Sequence, residues 1–270
     1  MMNRFILVIM TLQVLFIILI SGCSNSTGPE EISWKLVWQD DFDGPAGQCP
    51  DSTKWGFDTG TDWGNAQLEY DTDRPENASL DGQSNLAIVA RKESYMGSAY
   101  TSARITTEGL FEKTYGRFEA SIKLPWGQGL WPAFWLLGAN IDDVGWPDCG
   151  EIDIMEFRGQ ETSRIHGSLH GPGYSGGNPV TAHYDLANGR FDTDFHLFAV
   201  EWNSEDIMFY VDDHRYQTIQ RKNVPGNWVF DHSFYIILNV AVGGYFAGPP
   251  DQSTVFPQTM LVDYVRVYEE

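Results

Sequence analysis

Three acidic side chains lie within six residues of an otherwise apolar segment, and this spacing predicts acid–base chemistry. The segment Gly150–Gly159 reads Gly-Glu-Ile-Asp-Ile-Met-Glu-Phe-Arg-Gly, with carboxylates at Glu151, Asp153 and Glu156. Because alternate residues of a β-strand face the same side, Glu151 and Asp153 share one face. Glu156 joins them only if one extra residue near Met155 forms a β-bulge. The sequence therefore predicts a bulged strand that presents three acids on one face.

Neighbouring carboxyl groups raise one another's affinity for protons, so one acid stays protonated near neutral pH beside an ionised partner. A retaining glycosidase uses such a pair as nucleophile and proton donor, with the two groups roughly 5–5.5 Å apart. A twisted, concave strand would bring Glu151 and Glu156 near that separation. The plain alternatives are a solvated strand face and a calcium-binding loop, and the isoleucine, methionine and phenylalanine neighbours disfavour both.

Tryptophan is unusually frequent, and four of the ten tryptophans lie in the 25 residues just before the acidic strand: Trp126, Trp131, Trp135 and Trp146. Trp131 and Trp135 are four residues apart and share one face of a strand, whereas Phe134 points to the opposite face. Aromatic rings along a groove pack against the C–H faces of sugars, with the indole N–H left for a hydroxyl. Ordinary core packing is the alternative for each ring.

Two histidines, His166 and His170, raise the possibility of other chemistries. A Ser-His-Asp hydrolase would require a Gly-x-Ser-x-Gly elbow, and the sequence has none. A zinc enzyme would require a His-Glu-x-x-His pattern or a supporting cysteine cluster, and both are missing. We predict that His170 is a groove residue, followed at Tyr174–Gly177 by a flexible loop over the groove.

The charge balance restricts the partners. The chain of 270 residues has 17 basic and 37 acidic residues, a formal net charge of -20. Nucleic acids, anionic surfaces and sulfated polysaccharides are therefore disfavoured, and a neutral polysaccharide is compatible. We expect a monomer.

The N-terminal segment has the pattern of an export signal. An apolar run at residues 5–20 follows Arg4 and leads to Ile20-Ser21-Gly22-Cys23, which resembles a bacterial lipobox. The run is shorter than a membrane-spanning helix usually needs, which disfavours the alternative of an uncleaved anchor. We expect a signal peptide at 1–22, a lipid on Cys23 as the only membrane contact, a tether at 23–30 and an outer-membrane or cell-surface location. A disulfide between Cys49 and Cys149 stays open.

Short alternating segments with turns between them predict an all-β fold over 31–270. In Gly116–Leu124, apolar residues alternate with polar ones, as in a half-buried strand, and Asp212-Asp213 has the character of a hairpin turn. Further strands are predicted at Asn85–Ala90, Phe195–Trp202, Ile207–Val211, Phe234–Val240 and Met260–Tyr268. The strand spacing favours a β-sandwich of two antiparallel sheets, a jelly roll.

Several motifs together resemble glycoside hydrolase family 16, and the bulged Glu-x-Asp-x-x-Glu pattern resembles its laminarinase branch. They are Tyr100–Arg104, Gly116–Glu119, Trp131–Gly138, Trp146–Glu156, His170–Gly177, Asn239–Gly244 and Val262–Tyr268. The resemblance implies a concanavalin A-like jelly roll whose concave sheet carries a cleft for β-1,3-glucan.

By the same resemblance, Glu151 is the nucleophile, Asp153 the assisting carboxylate and Glu156 the acid/base. The implied sugar-contacting residues are Asn65, Arg104, Trp131, Trp135, Trp146 and His170. No cofactor is expected for catalysis. Mixed-linkage β-1,3/1,4-glucan, a galactan such as agarose or carrageenan, and glucan binding without catalysis are the alternatives.

The resemblance also implies a structural calcium held by Asp41, Gly82 and Asp263, away from the cleft. Calcium prefers such oxygen ligands. Three positions depart from the family pattern: Asp41 replaces a glutamate, Glu69 a glutamine and Asp71 a tyrosine.

Overall fold

Strands dominate the part of the chain that the structure describes, residues 33–270 of a computed structural model. Two short helices, α1 (Ile141–Val144) and α2 (Gly244–Ala247), and a 3₁₀ turn at Arg221–Asn223 interrupt them. In chain order the strands are β1 (Lys35–Asp40), β2 (Gly56–Asp58), β3 (Gly60–Thr61), β4 (Glu69–Asp71), β5 (Ala78–Leu80), β6 (Leu86–Ala90), β7 (Tyr100–Ser102), β8 (Arg104–Thr106), β9 (Gly116–Lys123), β10 (Leu130–Gly138), β11 (Glu151–Phe157), β12 (Arg164–His170), β13 (Val180–Asp185), β14 (His196–Trp202), β15 (Asp206–Val211), β16 (His214–Gln220), β17 (Phe234–Val242) and β18 (Gln258–Glu269).

The strands form two large antiparallel sheets and one small mixed sheet. The inner sheet has seven strands in the order β13-β12-β11-β10-β17-β8-β2. The outer sheet has eight, in the order β16-β15-β14-β9-β18-β6-β5, with β1 paired to β18. The small sheet has the order β3-β4-β7. This arrangement is the predicted two-sheet jelly roll, and the prediction of an all-β fold is confirmed.

Alternation along β9 explains how the outer sheet contributes to the core. Phe118 and Ile122 face inward and are fully buried, and burial of such a side chain stabilises the fold by about 1.5–3 kcal/mol. The opposite face differs from the predicted half-buried strand, because Glu119 and Ser121 retain only 7% and 9% exposure. Hydrogen bonds from Arg117 and from the Tyr268 hydroxyl satisfy Glu119 on that face.

The other predicted strands are present with shifted ends. They correspond to β6, β14, β15, β17 and β18. The predicted hairpin turn is also confirmed: Val211 pairs with His214, and the two residues between them, Asp212 and Asp213, have φ of 48° and 63°. Positive φ at both central residues is the requirement of the tight turns that match strand twist.

The centre of the inner sheet is apolar on both faces. All nine residues of β17 are buried, and this strand pairs with β10 on one side and β8 on the other. β17 thus pairs directly with the strands that carry the predicted functional residues Trp131, Trp135 and Arg104.

The predicted signal peptide at 1–22, the tether at 23–30 and the lipid-bearing Cys23 lie outside the described residues. Residues 34–270 form one compact unit. Within the described part, no helix is long and apolar enough to cross a membrane. Cys49 and Cys149 are both free thiols; Cys49 is exposed, whereas Cys149 is buried.

Candidate active site

A β-bulge in β11 places the three acids on one face of the strand. Asp153 pairs with Ser168 of β12, and Glu156 pairs with His166, so three steps along β11 match two steps along β12. The extra residue lets both Ile154 and Met155 point into the core, where they retain at most 1% exposure. The predicted bulge is thus confirmed, and Glu156 returns to the face of Glu151 and Asp153.

A cleft of about 1020 Å³ lies on the inner sheet, and the acids are part of its wall. All nine residues predicted for catalysis or sugar contact line it: Asn65, Arg104, Trp131, Trp135, Trp146, Glu151, Asp153, Glu156 and His170. They come from β8, β10, β11 and β12 and from the loops before β4 and β11. The fold therefore gathers into one groove residues that are far apart in sequence.

Two of the three acids are held in their protonated form by their surroundings. Burial, followed by the charge of Glu151 and a hydrogen bond with it, raises the pKa of Asp153 well above its ordinary value. Burial also raises the pKa of Glu156 to about 8, with a further contribution from the charge of Asp153. His170 and a hydrogen bond from Trp131 oppose this increase. Glu156 is therefore a proton donor at neutral pH.

His170 faces the acids with a defined tautomer. The backbone N–H of Gly176 donates to His170 Nδ1 at 3.1 Å, so the ring proton of a neutral imidazole is on Nε2. That Nε2 lies 3.1 Å from Asp153 Oδ2 and 3.9 Å from Glu151 Oε1. The histidine thus directs its Nε2–H edge at Asp153 and Glu151.

The tryptophans contact the acids through their N–H groups. Trp131 Nε1 donates to Glu156 Oε1 at 3.1 Å, and Trp146 Nε1 donates to Glu151 Oε2 at 2.7 Å. Trp135 Nε1 donates instead to Asn239 Oδ1 at 2.9 Å. The expectation that these N–H groups are free for sugar hydroxyls is therefore wrong for all three rings. Two of the indoles orient the acids as well as lining the cleft.

Two sequence-based assignments near the cleft are corrected. Trp126 does not line the cleft; its ring lies 5.4 Å from the Arg190 guanidinium in a surface loop. Tyr174 is not part of a flexible loop, because it is buried and its hydroxyl donates to the carbonyl of Asn227 at 2.8 Å. Of the predicted loop, Gly176 and Gly177 do line the cleft.

The acidic motif did not predict two other aromatic residues of the cleft, Trp63 and Phe246. Trp63 borders one end of the cleft, and Phe246 lies against Trp131 with ring centroids 5.1 Å apart. The glycine pair before Phe246 was the one hint of its position. Gly244 has a φ of 81°, and a Cβ there would lie 3.0 Å from the Trp131 ring, so a side chain would push the segment away from that ring.

Glu151, Asp153 and His170 are also the group of side chains in residues 33–270 that a metal ion would fit. Their ligand atoms lie within 4.8 Å of one another. In the structure these side chains contact one another, with His170 Nε2 near Asp153 and Glu151, and Glu151 also accepts from Trp146.

The predicted calcium ligands lie in or beside strands of the outer sheet. Asp41 Oδ1 accepts from the Arg266 guanidinium at 2.8 Å, and its Oδ2 accepts from Gln39 at 2.8 Å. Asp41 borders a depression of about 530 Å³ that neither Gly82 nor Asp263 lines. Calcium stays a prediction here; adding a chelator and following the melting temperature would test it.

Comparison with known proteins agrees with this geometry. The model of Glycosyl hydrolases family 16 matches residues 58–266. A beta-glucanase of Rhodothermus marinus is 40% identical over 92% of this chain and 90% of its own. The crystal structure of the laminarinase catalytic domain of Thermotoga maritima is 47% identical, with a TM-score of 0.84 over 88% of this chain and 99% of that one. An endo-beta-1,3-glucanase of Pyrococcus furiosus is 47% identical, with a TM-score of 0.83 over 87% and 94%. The chain belongs to glycosyl hydrolase family 16.

Proposed function

We propose that the protein is a retaining endo-β-1,3-glucanase that cleaves internal bonds of laminarin-like glucans. One observation carries this proposal: the bulge in β11 turns Glu156 into the same cleft as Glu151. Two carboxyl groups that face one groove, one of them with a raised pKa, supply the nucleophile and the acid of a double displacement. The matching family and the named activities of the relatives support the same reaction.

In the first step, a Glu151 carboxylate oxygen attacks the anomeric carbon. The bond from that carbon to the glycosidic oxygen breaks, and its electron pair goes to the oxygen. Glu156 donates its proton to the same oxygen, so the departing sugar leaves as a neutral alcohol. The hydrogen bond from Trp146 Nε1 to Glu151 Oε2 leaves Oε1 for the attack.

In the second step, the Glu156 carboxylate takes a proton from a water molecule as the water attacks the anomeric carbon. The bond to Glu151 breaks, Glu151 leaves as a carboxylate, and Glu156 is protonated again. Two inversions at the same carbon retain the β configuration in the product.

Asp153 and His170 assist by controlling protons around the nucleophile. A protonated Asp153 donates a hydrogen bond to Glu151, which holds the nucleophile in position and disperses its charge. The negative charge of Glu151 is consumed during the attack, and His170 Nε2, 3.1 Å from Asp153 Oδ2, helps to hold Asp153 in position.

The charges at the cleft favour a neutral substrate. The two arginines that line it are already neutralised: Arg104 Nε donates to Asp58 at 2.8 Å, and Arg158 pairs with Glu161 at 3.1 Å. A sulfated galactan would meet three catalytic carboxyls without a free guanidinium. Neutral glucan therefore fits better than carrageenan, and mixed-linkage glucan is the nearest competitor.

The full chain should be incubated with laminarin, lichenan, agarose and carrageenan, and the products identified by mass spectrometry and linkage analysis. We expect β-1,3-linked oligosaccharides of several lengths from laminarin and the least product from carrageenan. Glu151→Gln is the control, because it removes the nucleophile and keeps the size of the side chain. Release of glucose alone, or binding to laminarin without cleavage, would contradict an endo-acting enzyme.

We further propose that the protein is an exported lipoprotein that acts as a monomer at the cell surface. The lipobox-like segment ending at Cys23 and the apolar run before it support this location. Cys23→Ala should move the protein from the detergent phase to the aqueous phase in a phase-separation assay. Equal partition of both forms would contradict the lipid anchor. Analytical ultracentrifugation of the soluble form would test whether the protein is a monomer.

A further inference from the structure

Two buried acids lie behind one end of the cleft and take no part in the mechanism above. Glu69 and Asp71 are two residues apart on β4 and share a face, and each has at most 1% exposure. Glu69 Oε2 accepts from the Val242 N–H at 2.7 Å, and Asp71 Oδ2 accepts from Trp63 Nε1 at 2.8 Å. Their other oxygens, Glu69 Oε1 and Asp71 Oδ1, have no hydrogen-bond partner among residues 33–270.

No lysine or arginine of the described residues forms an ion pair with either acid. Besides Glu69, the charged groups that act on Asp71 are Arg104 of β8 and Asp58 of β2, and these two form an ion pair with each other at 2.8 Å. On the adjacent β7, the residue opposite Asp71 is Ser102, which is uncharged. Two carboxylates buried without a cation are very unfavourable, so Glu69 and Asp71 do not both ionise near neutral pH.

Burial raises the proton affinity of both acids. Burial, followed by the charge of Asp71, raises the pKa of Glu69 well above its ordinary value. Burial raises the pKa of Asp71 to about 7, against the lowering effects of the Trp63 hydrogen bond and of Arg104, and Asp58 adds to the increase. Asp71 therefore exchanges its proton near neutral pH, beside a Glu69 whose own pKa is raised.

Asp71 is connected to the cleft through one aromatic ring. The Trp63 ring centroid lies 4.7 Å from the Arg104 guanidinium, and the Trp135 ring centroid lies 4.9 Å from the same group. Arg104 thus contacts two indoles, and all three side chains line the cleft. Asn239 fixes the N–H of Trp135, and Asp71 fixes the N–H of Trp63.

We propose that Asp71 is a positioning residue: when ionised, it fixes the Trp63 indole against Arg104, and when it is protonated this contact loosens, so that sugar binding weakens as the pH falls. The physical reason is that a hydrogen bond to a carboxylate is roughly twice as strong as one between neutral groups. The effect on binding rests on the proposed function, whereas the effect on Trp63 does not.

The first test follows the Trp63 indole by NMR in ¹⁵N-tryptophan-labelled protein between pH 5 and 8.5. Trp63→Phe identifies the resonance, which distinguishes it from indoles that contact Glu151 and Glu156. We expect the Trp63 N–H signal to titrate with a midpoint near the pKa of about 7 for Asp71. A signal that does not move over this range would overturn the proposal, whatever the enzyme hydrolyses.

Glu69→Gln and Asp71→Asn are a matched pair of variants. Glutamine is a neutral group that still accepts from the Val242 N–H, so Glu69→Gln should keep the Trp63 titration. Asp71→Asn keeps an acceptor for Trp63 but cannot ionise, so it should abolish the titration. If the titration disappears in Glu69→Gln and persists in Asp71→Asn, the assignment of the titrating group is wrong.

The second test measures binding of a laminari-oligosaccharide by calorimetry in a Glu151→Gln background, with and without Asp71→Asn. We expect affinity in the background variant to be about 3- to 10-fold weaker at pH 5.5 than at pH 8, since the lost increment is that of one charge-assisted hydrogen bond. Asp71→Asn should bind at the weaker level at both pH values. Adding Trp63→Phe should remove the difference in affinity between the proteins with and without Asp71→Asn.

Equal pH dependence with and without Asp71→Asn would overturn the positioning role, because the remaining pH effect would then belong to the catalytic acids. If no variant binds the oligosaccharide but the Trp63 signal titrates as expected, the proposed substrate fails and the Asp71–Trp63 connection stands.

Discussion

Both large sheets bury acidic side chains, but they neutralise them differently. On the outer face of the outer sheet, Glu119 accepts from Arg117 at 2.8 Å and from the Tyr268 hydroxyl at 3.1 Å. Glu201 accepts from the same arginine at 2.9 Å and from the Tyr210 hydroxyl at 2.6 Å. Every carboxylate oxygen of these two glutamates has a partner, and the arginine offsets part of their charge.

The inner sheet leaves its acids without such compensation. Glu156 receives only an indole N–H at 3.1 Å and a distant Ser168 hydroxyl at 3.5 Å, and no arginine or lysine in the described residues pairs with it. Asp153 Oδ2 has no well-aligned hydrogen bond although His170 is close. A buried acid that loses its cation destabilises the fold, whereas acids that never had one retain protons and can transfer them. The contrast separates structural acids from chemical ones.

The sharpest difference should appear when one acid from each sheet is replaced. Glu151→Gln removes the nucleophile, and we expect turnover of laminarin to decrease by more than the ~10²–10⁴-fold that an acid–base group typically contributes. Glu119→Gln on the outer sheet should leave turnover within a few-fold of the parent. Steady-state kinetics measure both. Similar activity losses in the two variants would remove the distinction between the sheets.

Stability should respond in the opposite way. Arg117→Leu leaves the buried Glu119 and the partly buried Glu201 without their cation, and we expect the free energy of unfolding to decrease by about 3–5 kcal/mol. Lys35→Leu is the control: its exposed pair with Glu269 should contribute less than about 1 kcal/mol. Urea denaturation followed by fluorescence gives both values. Equal small losses would show that the outer cluster adds no more than a surface ion pair.

The pH dependence of the free energy of unfolding should reveal the raised pKa of Glu156. The pKa of Glu156 rises from 4.5 to about 8 on folding, so between these values the folded state holds a proton that the unfolded chain has released. The free energy of unfolding therefore decreases as the pH rises through this window, by at most about 1.4 kcal/mol per pH unit. Solvent screening by the cleft reduces the pKa shift of Glu156 and therefore narrows this pH window.

Glu156→Gln should make the stability curve flatter over the same range. Denaturation curves at pH 5, 6, 7 and 8 for both proteins provide the measurement. Parallel curves for the variant and the parent would mean that Glu156 does not hold its proton in the folded state.

A smaller effect should follow from the indole that contacts the acid. Trp131→Phe keeps an aromatic ring in the cleft but removes the N–H donor that lowers the pKa of Glu156. Because activity requires protonated Glu156, the alkaline limb of kcat/KM should move to higher pH, on the order of one unit. Trp135→Phe is the control, since its N–H contacts Asn239 instead. An unchanged limb in Trp131→Phe would remove this hydrogen bond from the mechanism.

Much of the site could be predicted because its key constraint is local. Glu151, Asp153 and Glu156 are on one strand, and only a bulge lets three acids in this spacing avoid the core. The alternation of apolar and polar residues along β9 also predicted which of its side chains face inward. It did not predict the burial of the outward-facing Glu119, because that burial depends on Arg117 and on Tyr268 from another strand.

Cleft residues outside the large sheets escaped prediction for the same reason. Trp63 and Phe246 reach the cleft from segments far from β11 in sequence, and nothing in their own neighbourhood shows where those segments fold. Trp126 gave the opposite error: it is close to the acidic strand in sequence and yet lies against Arg190 outside the cleft. Closeness along the chain is a weak guide once a loop intervenes.

The stereochemistry of the first product separates double displacement by Glu151 and Glu156 from any single-step reaction. Time-resolved ¹H NMR of laminari-oligosaccharide hydrolysis follows the anomeric proton before mutarotation. We expect the β-anomer to appear first and the α-anomer to follow slowly. Initial appearance of the α-anomer would mean that water attacks directly, and would contradict Glu151 as the nucleophile.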